Sequence, residues 1–213
     1  MNLDMRRAEG VLWNFGGKRC FQRRVSQYQV DLVLWEVFLN LHTDIASIVE
    51  IGSQDGGSSL FLALQARQRG MEFRTFDNVH SDALEECFET PLAQLVGLRE
   101  NFTHGDIFAD THDELAGLLT GGLPQPLLLF CDGPRGTRGS LSEIPEFVPY
   151  LEPGDYWATH DWADSDDDKG EVFPETVAWM GDRIQPLHWD MWRGLGSITR
   201  FWRVMDKLHG KGI

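Results

Sequence analysis

Residues 47–60 of the chain read SIVEIGSQDGGSSL, an apolar run that enters a glycine-rich turn and continues into the first turn of a helix. This strand-turn-helix order is typical of parallel α/β sheets that hold nucleotide-like ligands at the turn. The spacing is Glu-x-Gly-x-x-x-Gly, whereas pyrophosphate-binding dinucleotide folds prefer Gly-x-Gly-x-x-Gly. The stretch therefore favours a ligand without a phosphate, and a turn that binds nothing is the alternative.

The polar groups around this turn suit a ligand with an amino acid end and a ribose. Glu50 can reach an ammonium group, while the Gly57 backbone and the Ser58 hydroxyl can meet a carboxylate near the helix N-terminus. On these residues the chain resembles motif I of the class I S-adenosylmethionine-dependent methyltransferases. The resemblance implies S-adenosylmethionine as cofactor, and it places Glu50, Gly52, Ser53, Gly56 and Ser58 in its binding site.

Length and charge restrict the class of protein. A chain of 213 residues is the size of one domain, for which we expect an N-terminal arm or lid (1–25), a core (26–206) and an acidic loop (163–171). The formal net charge is −14, from 33 acidic and 19 basic residues, which argues against nucleic acid as a partner because phosphates need clustered Lys and Arg. Solubility or a saline habitat explains the acidity equally well.

The cysteines and the hydropathy predict a protein of a reducing compartment. The three cysteines are widely separated and show no C-x-x-C spacing, which argues against disulfides and a structural zinc site. No stretch is long and apolar enough to span a bilayer, and we see no apolar signal-peptide segment near the first residue. We therefore expect a soluble, cytoplasmic protein that does not bind membranes, with a homo-oligomer left open.

Strand and helix patterns alternate along the chain and predict a Rossmann-like, doubly wound α/β sheet of seven strands. The sheet would be mostly parallel with a C-terminal antiparallel hairpin and helices on both faces, as in the class I methyltransferase fold. After the first strand, strands are predicted at 72–77, 102–108, 127–131, 155–162, 185–192 and 197–205. Helices are predicted at 26–41, 57–69, from 82 with a break at Pro91, and at 111–119, 140–151 and 173–182.

Two further cofactor contacts are predicted at strand ends. Asp77 ends the second strand about twenty residues after the glycines, where an acid can accept both ribose hydroxyls. Its alternative role is to cap the next helix, although Ser81 and Asp82 already offer caps. The Gly-Asp-Ile step ending in Asp106 and Ile107 resembles the one that lies beside adenine in class I methyltransferases, and this resemblance adds both residues to the cofactor site.

Strands four and five end in acids that could bind a divalent ion. Asp132 follows the apolar run 127–131, and His160 with Asp161 ends the next strand, so these side chains should meet at one edge of the sheet. The pairing resembles the Mg²⁺ site of metal-dependent O-methyltransferases of the macrocin and cephalosporin-hydroxylase-like group. It implies Asp132, His160 and Asp161 as metal ligands and catalytic residues, with His160 as a base if it is not a ligand. A cap on the acidic loop is the alternative role for Asp161.

The chain departs from the catechol-type members of that class at two places. Arg135 stands where those enzymes have a lysine base, and an arginine stays protonated, so it could grip a carboxylate or sugar hydroxyls of an acceptor. Strand five ends in His-Asp-Trp and not in Asp-Asn. The loop at 164–170 has the outline of a calcium loop but carries Lys169 where glycine is needed, so a solvated loop is favoured.

These patterns together predict an S-adenosylmethionine-dependent methyltransferase, with Mg²⁺ or another divalent cation assisting O-methylation of a small-molecule or glycan hydroxyl. Three alternatives stay open: another reaction on the same scaffold, a binding protein without turnover, and a nicotinamide oxidoreductase, which the missing Gly-x-Gly-x-x-Gly disfavours.

Overall fold

The computed structural model describes residues 19–20, 23–24, 29–133, 143–160, 162, 177–194, 197 and 199–208. The strands of the main sheet are β1 (Ser47–Ile51), β2 (Glu72–Asp77), β3 (Phe102–His104), β4 (Leu127–Cys131), β5 (Tyr156–Thr159), β6 (Ile184–Leu187) and β7 (Arg200–Val204). Their order in the sheet is β3-β2-β1-β4-β5-β7-β6. Strands β1 to β5 are parallel, and β7 runs antiparallel to both β5 and β6. The predicted seven-stranded, doubly wound sheet is therefore confirmed. A separate two-residue antiparallel pair joins Arg19–Cys20 to Arg23–Arg24.

The helices begin and end at residues whose local chemistry explains the boundary. The helices are α1 (Gln29–Leu41), α2 (Gly57–Arg69), α3 (Asp82–Phe88), α4 (Pro91–Leu95), α5 (His112–Gly117), α6 (Glu143–Phe147) and α7 (Trp189–Gly194). Shorter helical segments cover Leu118–Gly122, Val148–Tyr150 and Ala178–Arg183. Gly70 ends α2 in a left-handed conformation, Ser81 caps α3 by accepting from Leu84 N–H, and Thr90 caps α4, whose first residue is Pro91.

A hydrophobic core lies on each face of the sheet, because successive side chains of a strand point to opposite faces. In β1, Ile48 packs with Trp35 and the α2 side of the sheet, whereas Val49 and Ile51 belong to the core on the other face. All five residues of β4 are buried, as expected for a central strand covered on both faces. No helix of the described residues is long and apolar enough to cross a membrane.

The strand predicted for residues 185–192 is wrong beyond Leu187. His188 takes a positive φ of 58°, which breaks the extended backbone, and α7 follows at once. This turn places the Trp189 ring against Trp202 of β7, with ring centroids 5.3 Å apart. The aromatic residues that were predicted as part of a strand therefore belong to a helix that packs on the sheet. The antiparallel pairing of β6 with β7 is as predicted.

The sheet brings the glycine turn and the end of β4 into direct contact. Gly52 has φ 104°, its N–H donates to Phe76 O at 2.8 Å, and Asp132 N–H donates to Ile51 O at 2.9 Å. A Cβ on residue 52 would lie 1.9 Å from the Asp132 carbonyl oxygen. Glycine is required here both for its backbone conformation and for the space.

Replacing Gly52 by alanine should destabilise the protein far more than the same change at Gly154. Gly154 has nearly the same φ, 102°, but a Cβ there would meet no atom within 4 Å. We expect Gly154→Ala to lower the free energy of unfolding by roughly 1–2 kcal/mol from backbone strain alone. Gly52→Ala should cost roughly 2 kcal/mol more, because the overlap with Asp132 is added. Urea denaturation of both variants measures this, and equal losses would contradict the proposed contact.

Candidate functional site

A pocket opens where the carboxyl ends of β1, β2 and β3 meet the start of α6. Its cavity volume is about 30 Å³, and its wall includes apolar side chains and carboxyl groups from β1, β2, the turn after β3 and α6. Three of the residues predicted for cofactor binding line it: Asp77, Asp106 and Ile107. Ile51, Phe76 and Glu143 also line the pocket.

Asp77 ties the glycine turn to β2. Its Oδ2 accepts from the backbone N–H groups of Ser53 and Gln54, both at 2.7 Å, and its Oδ1 accepts from Val79 N–H at 2.8 Å. The side chain is only 3% exposed but still lines the pocket. A carboxylate has about four acceptor positions, so one remains for a ligand hydroxyl after three backbone bonds.

Glu50 lies beneath the turn and is fully buried. Its Oε2 accepts from the Ser59 hydroxyl at 2.5 Å and from the Thr75 hydroxyl at 2.7 Å, and Thr75 in turn bonds the Ser53 hydroxyl at 2.6 Å. Burial raises the pKa of Glu50 to about 7, although hydrogen bonds from Ser59, Thr75 and Ser58 act in the opposite direction. Glu50 is not among the pocket-lining residues, so its direct contact with an ammonium group stays a prediction.

Gly56 and Ser58 lie at the start of α2. Gly56 has φ 80°, and a Cβ there would meet Leu84 and Cys87 of α3 at 2.9 and 3.0 Å. The helix start is therefore held between the glycine turn and α3. Ser58 is half-buried and close to Glu50, so these groups lie together, and their contact with a ligand carboxylate stays a prediction.

Asp106 and Ile107 form one side of the pocket after β3. The Asp106 carboxylate is exposed and accepts from Phe108 N–H at 2.8 Å, which shapes the turn, while Ile107 is 6% exposed. Gly105 N–H donates to Asp77 O at 3.0 Å and holds this turn beside the end of β2. The structure thus brings together the residues predicted to contact ribose and base.

His160, directly after β5, lies between the carboxylates of Asp132, directly after β4, and Asp31 of α1. Its Nδ1 is 3.5 Å from Asp132 Oδ1, and its Nε2 is 3.7 Å from Asp31 Oδ2. The imidazole is almost completely buried, Asp31 is fully buried and accepts from Ser197, and the Asp132 side chain is 20% exposed. Asp31 was not predicted as a site residue. It lies within the predicted helix 26–41, and nothing in the local sequence indicates a contact with His160, which is 129 positions later along the chain.

A metal site is not complete within the described residues. No three His, Cys, Asp or Glu side chains among them form a group that could hold a metal ion. Asp132 and His160 are adjacent, as predicted, but the third predicted ligand, Asp161, lies outside the described residues, as do Arg135 and the acidic loop 163–171.

Glu143 is the pocket residue that sequence reasoning missed. It is the first residue of α6 and only 3% exposed, and its Oε1 accepts from Gly133 N–H at 3.1 Å. Burial raises its pKa to about 8, and the nearby Asp132 and Asp77 carboxylates act in the same direction. An acid in the first turn of a helix is common for dipole reasons, so its sequence position gave no signal of a pocket.

The stability of the protein should fall between pH 4.5 and 7 through Glu50. Its pKa in the folded state, about 7, lies above the ordinary 4.5, so the folded state binds more protons in this range. The favourable contribution is complete below pH 4.5 and is lost as the pH rises to 7, at most roughly 3 kcal/mol. Urea denaturation at several pH values should show a flatter pH profile for Glu50→Gln. The exposed Glu72→Gln is the control, and a wild-type slope in Glu50→Gln would contradict the prediction.

Comparison with solved structures identifies similar folds at low sequence identity. CmcI-N160 in its apo structure is 18% identical, with a TM-score of 0.57 over 94% of this chain and 83% of that one. CmcI-D160 with Mg-SAM is 16% identical, with a TM-score of 0.57 over 91% and 76%. MycE methyltransferase from the mycinamycin biosynthetic pathway, with Mg, SAH and mycinamycin VI, is 13% identical, with a TM-score of 0.50 over 84% and 50%. At these identities the likeness establishes the fold.

A search of curated proteins found no match. The family comparison is more informative, because a model described as a methyltransferase domain matches residues 49–162, which is more than half of the chain. The matched span begins within β1 and ends after β5, so it includes the glycine turn, the pocket wall, Asp132 and His160. The chain therefore belongs to this methyltransferase domain family.

Proposed function

We propose that the protein is an S-adenosylmethionine-dependent O-methyltransferase that acts on a hydroxyl group of a small molecule or glycan. The observation that carries this proposal is the pocket at the ends of β1, β2 and β3, which brings Asp77, Asp106 and Ile107 together. Membership of a methyltransferase family supports the reaction class. The bound Mg-SAM in CmcI-D160 and the bound SAH in MycE support the cofactor.

The residues fit a nucleoside with an attached amino acid. Asp77 keeps an acceptor position for a ribose hydroxyl, and the Ile107 side chain offers an apolar surface for a base. The wide glycine turn provides no pyrophosphate-binding geometry, which agrees with a cofactor that lacks phosphate. When bound, S-adenosylmethionine supplies an electrophilic methyl group on a sulfonium.

The acceptor side of the site is proposed to lie at Asp132. Its carboxylate is the most exposed group of the cluster that also contains His160 and Asp31. A hydroxyl that donates to Asp132 would be oriented there, and the adjacent imidazole can take up the proton. As part of this proposal, Arg135 binds a carboxylate or sugar hydroxyls of the acceptor, and Asp161 is a metal ligand. A glycan or natural-product hydroxyl is the proposed acceptor.

We also propose that a Mg²⁺ ion assists the methyl transfer. The Mg²⁺ in CmcI-D160 and MycE and the adjacency of Asp132 and His160 support this proposal. A metal-bound imidazole usually has a carboxylate at its other nitrogen, and Asp31 has that position relative to His160. The described residues supply two of the three predicted ligands, so Asp161 is needed as the third.

Calorimetric titration should show that the protein binds S-adenosylmethionine and S-adenosylhomocysteine but not NAD. Ile107→Ala, which removes apolar surface without touching the glycine turn, should weaken binding roughly tenfold, since the lost burial is worth about 1–2 kcal/mol. Asp113→Asn, on an exposed side chain of α5, is the control. Binding of NAD in place of both sulfur compounds would contradict the proposal.

Titration of Mg²⁺ into the protein loaded with S-adenosylhomocysteine tests the metal directly. We expect one Mg²⁺-binding site in the wild type and its loss in Asp132→Asn, while affinity for S-adenosylhomocysteine changes less than threefold.

Methyl transfer is assayed with a panel of catechols, monosaccharides and glycosides. For Asp132→Asn we expect kcat to fall at least 100-fold, which corresponds to roughly 3 kcal/mol of lost transition-state stabilisation. Absence of Mg²⁺ binding in the wild type would overturn the metal proposal and leave the cofactor proposal standing. Cofactor binding without methyl release would indicate a binding protein.

A further inference from the structure

We infer that Glu143 is a specificity-determining residue that donates a hydrogen bond to a ring nitrogen of the adenine base. This inference rests on the proposed function. Glu143 is the first residue of α6 and lines the pocket together with Asp77 and Ile107.

The position of the carboxyl group is set by Gly133. Gly133 N–H donates to Glu143 Oε1 at 3.1 Å, and a Cβ on residue 133 would lie 1.9 Å from Glu143 Oε2. Ile51 closes the same space, 3.1 Å from that hypothetical Cβ. The carboxyl group is therefore held in one place between the end of β4 and the pocket, with its hydrogen bond to protein made through Oε1.

The surroundings favour the neutral form of this acid. Glu143 is only 3% exposed, and this burial is the largest cause that raises its pKa, to about 8; the nearby Asp77 carboxylate acts in the same direction. At neutral pH the group is mostly protonated and carries an O–H donor. A buried carboxylic acid kept neutral in this way is an established type of hydrogen-bond donor in enzyme sites.

Among the described residues that line the pocket, few side chains can donate to a base. Asp77 and Asp106 are acceptors, and Asn78 is the other lining side chain with a donor, its amide N–H₂. Adenine presents several ring nitrogens that accept hydrogen bonds, and a polar group left unpaired in such a site weakens binding. A neutral Glu143 supplies a second donor for these nitrogens, whereas a ribose hydroxyl can donate to the Asp77 carboxylate.

The test compares two variants of Glu143 with a matched control from the same helix. Glu143→Gln keeps both an acceptor for Gly133 N–H and a donor, so it should bind S-adenosylhomocysteine within threefold of the wild type. Glu143→Leu removes the donor and should bind it about tenfold more weakly, with the same loss for 5′-methylthioadenosine, which lacks the amino acid end. Glu146→Leu is the control, because Glu146 is partly exposed, contacts His112 and is not among the residues that line the pocket.

Deaza analogues of S-adenosylhomocysteine, each with one ring nitrogen replaced by C–H, complete the test. One analogue should bind the wild type about tenfold more weakly and bind Glu143→Leu no worse than the parent compound does, which gives the coupling between donor and nitrogen. Thermal melting of each variant confirms that it is folded.

Three outcomes are decisive and separable. If the wild type binds S-adenosylhomocysteine and Glu143→Leu binds it equally well, the inference is wrong and the proposed function stands. If Glu143→Gln weakens S-adenosylmethionine but not S-adenosylhomocysteine, Glu143 acts as an ionised partner of the sulfonium, which also overturns the inference. If the wild type binds neither compound, the proposed function itself fails.

Discussion

The site depends on the hydrogen bonds that the Asp77 carboxylate accepts from the glycine turn. This carboxylate accepts the Ser53 and Gln54 N–H groups and so fixes the turn after β1 to the end of β2. With that turn in place, Gly52 can pass against the Asp132 carbonyl and join the ends of β1 and β4. Three strand ends are thereby held at one edge of the sheet, where open α/β sheets bind their ligands.

Buried acids give the site its electrostatic character. Glu50 lies beneath the turn and Glu143 beside the pocket, and burial raises the pKa of each, to about 7 and about 8. Near neutral pH the glutamates are therefore at least partly protonated, which adds hydrogen-bond donors and reduces the repulsion from Asp77 and Asp132. The protein thus places several carboxyl groups around one pocket without ionising all of them.

Much of the fold could be predicted because its signals are local. Strands 72–77 and 127–131 and the helix end at Gly70 were predicted at the positions that the structure has, since apolar runs and glycine caps act within a few residues. The strand predicted for 185–192 failed because the aromatic residues after Leu187 pack on the sheet from a helix. The pattern of apolar and polar residues in the sequence does not show whether an aromatic ring is buried by a strand or by a helix that packs on the sheet.

The sequence was enough to predict the doubly wound sheet, the methyltransferase resemblance and the nearness of Asp77, Asp106 and Ile107, because the ends of adjacent parallel strands necessarily meet at one edge. The environments of Glu50, Glu143 and Asp31, in contrast, could be read only from the folded chain. Their environment comes from residues far along the chain: Thr75 for Glu50, Gly133 for Glu143, and His160 for Asp31. Burial and hydrogen bonding depend on which elements pack together, and that information exists only once the chain has folded.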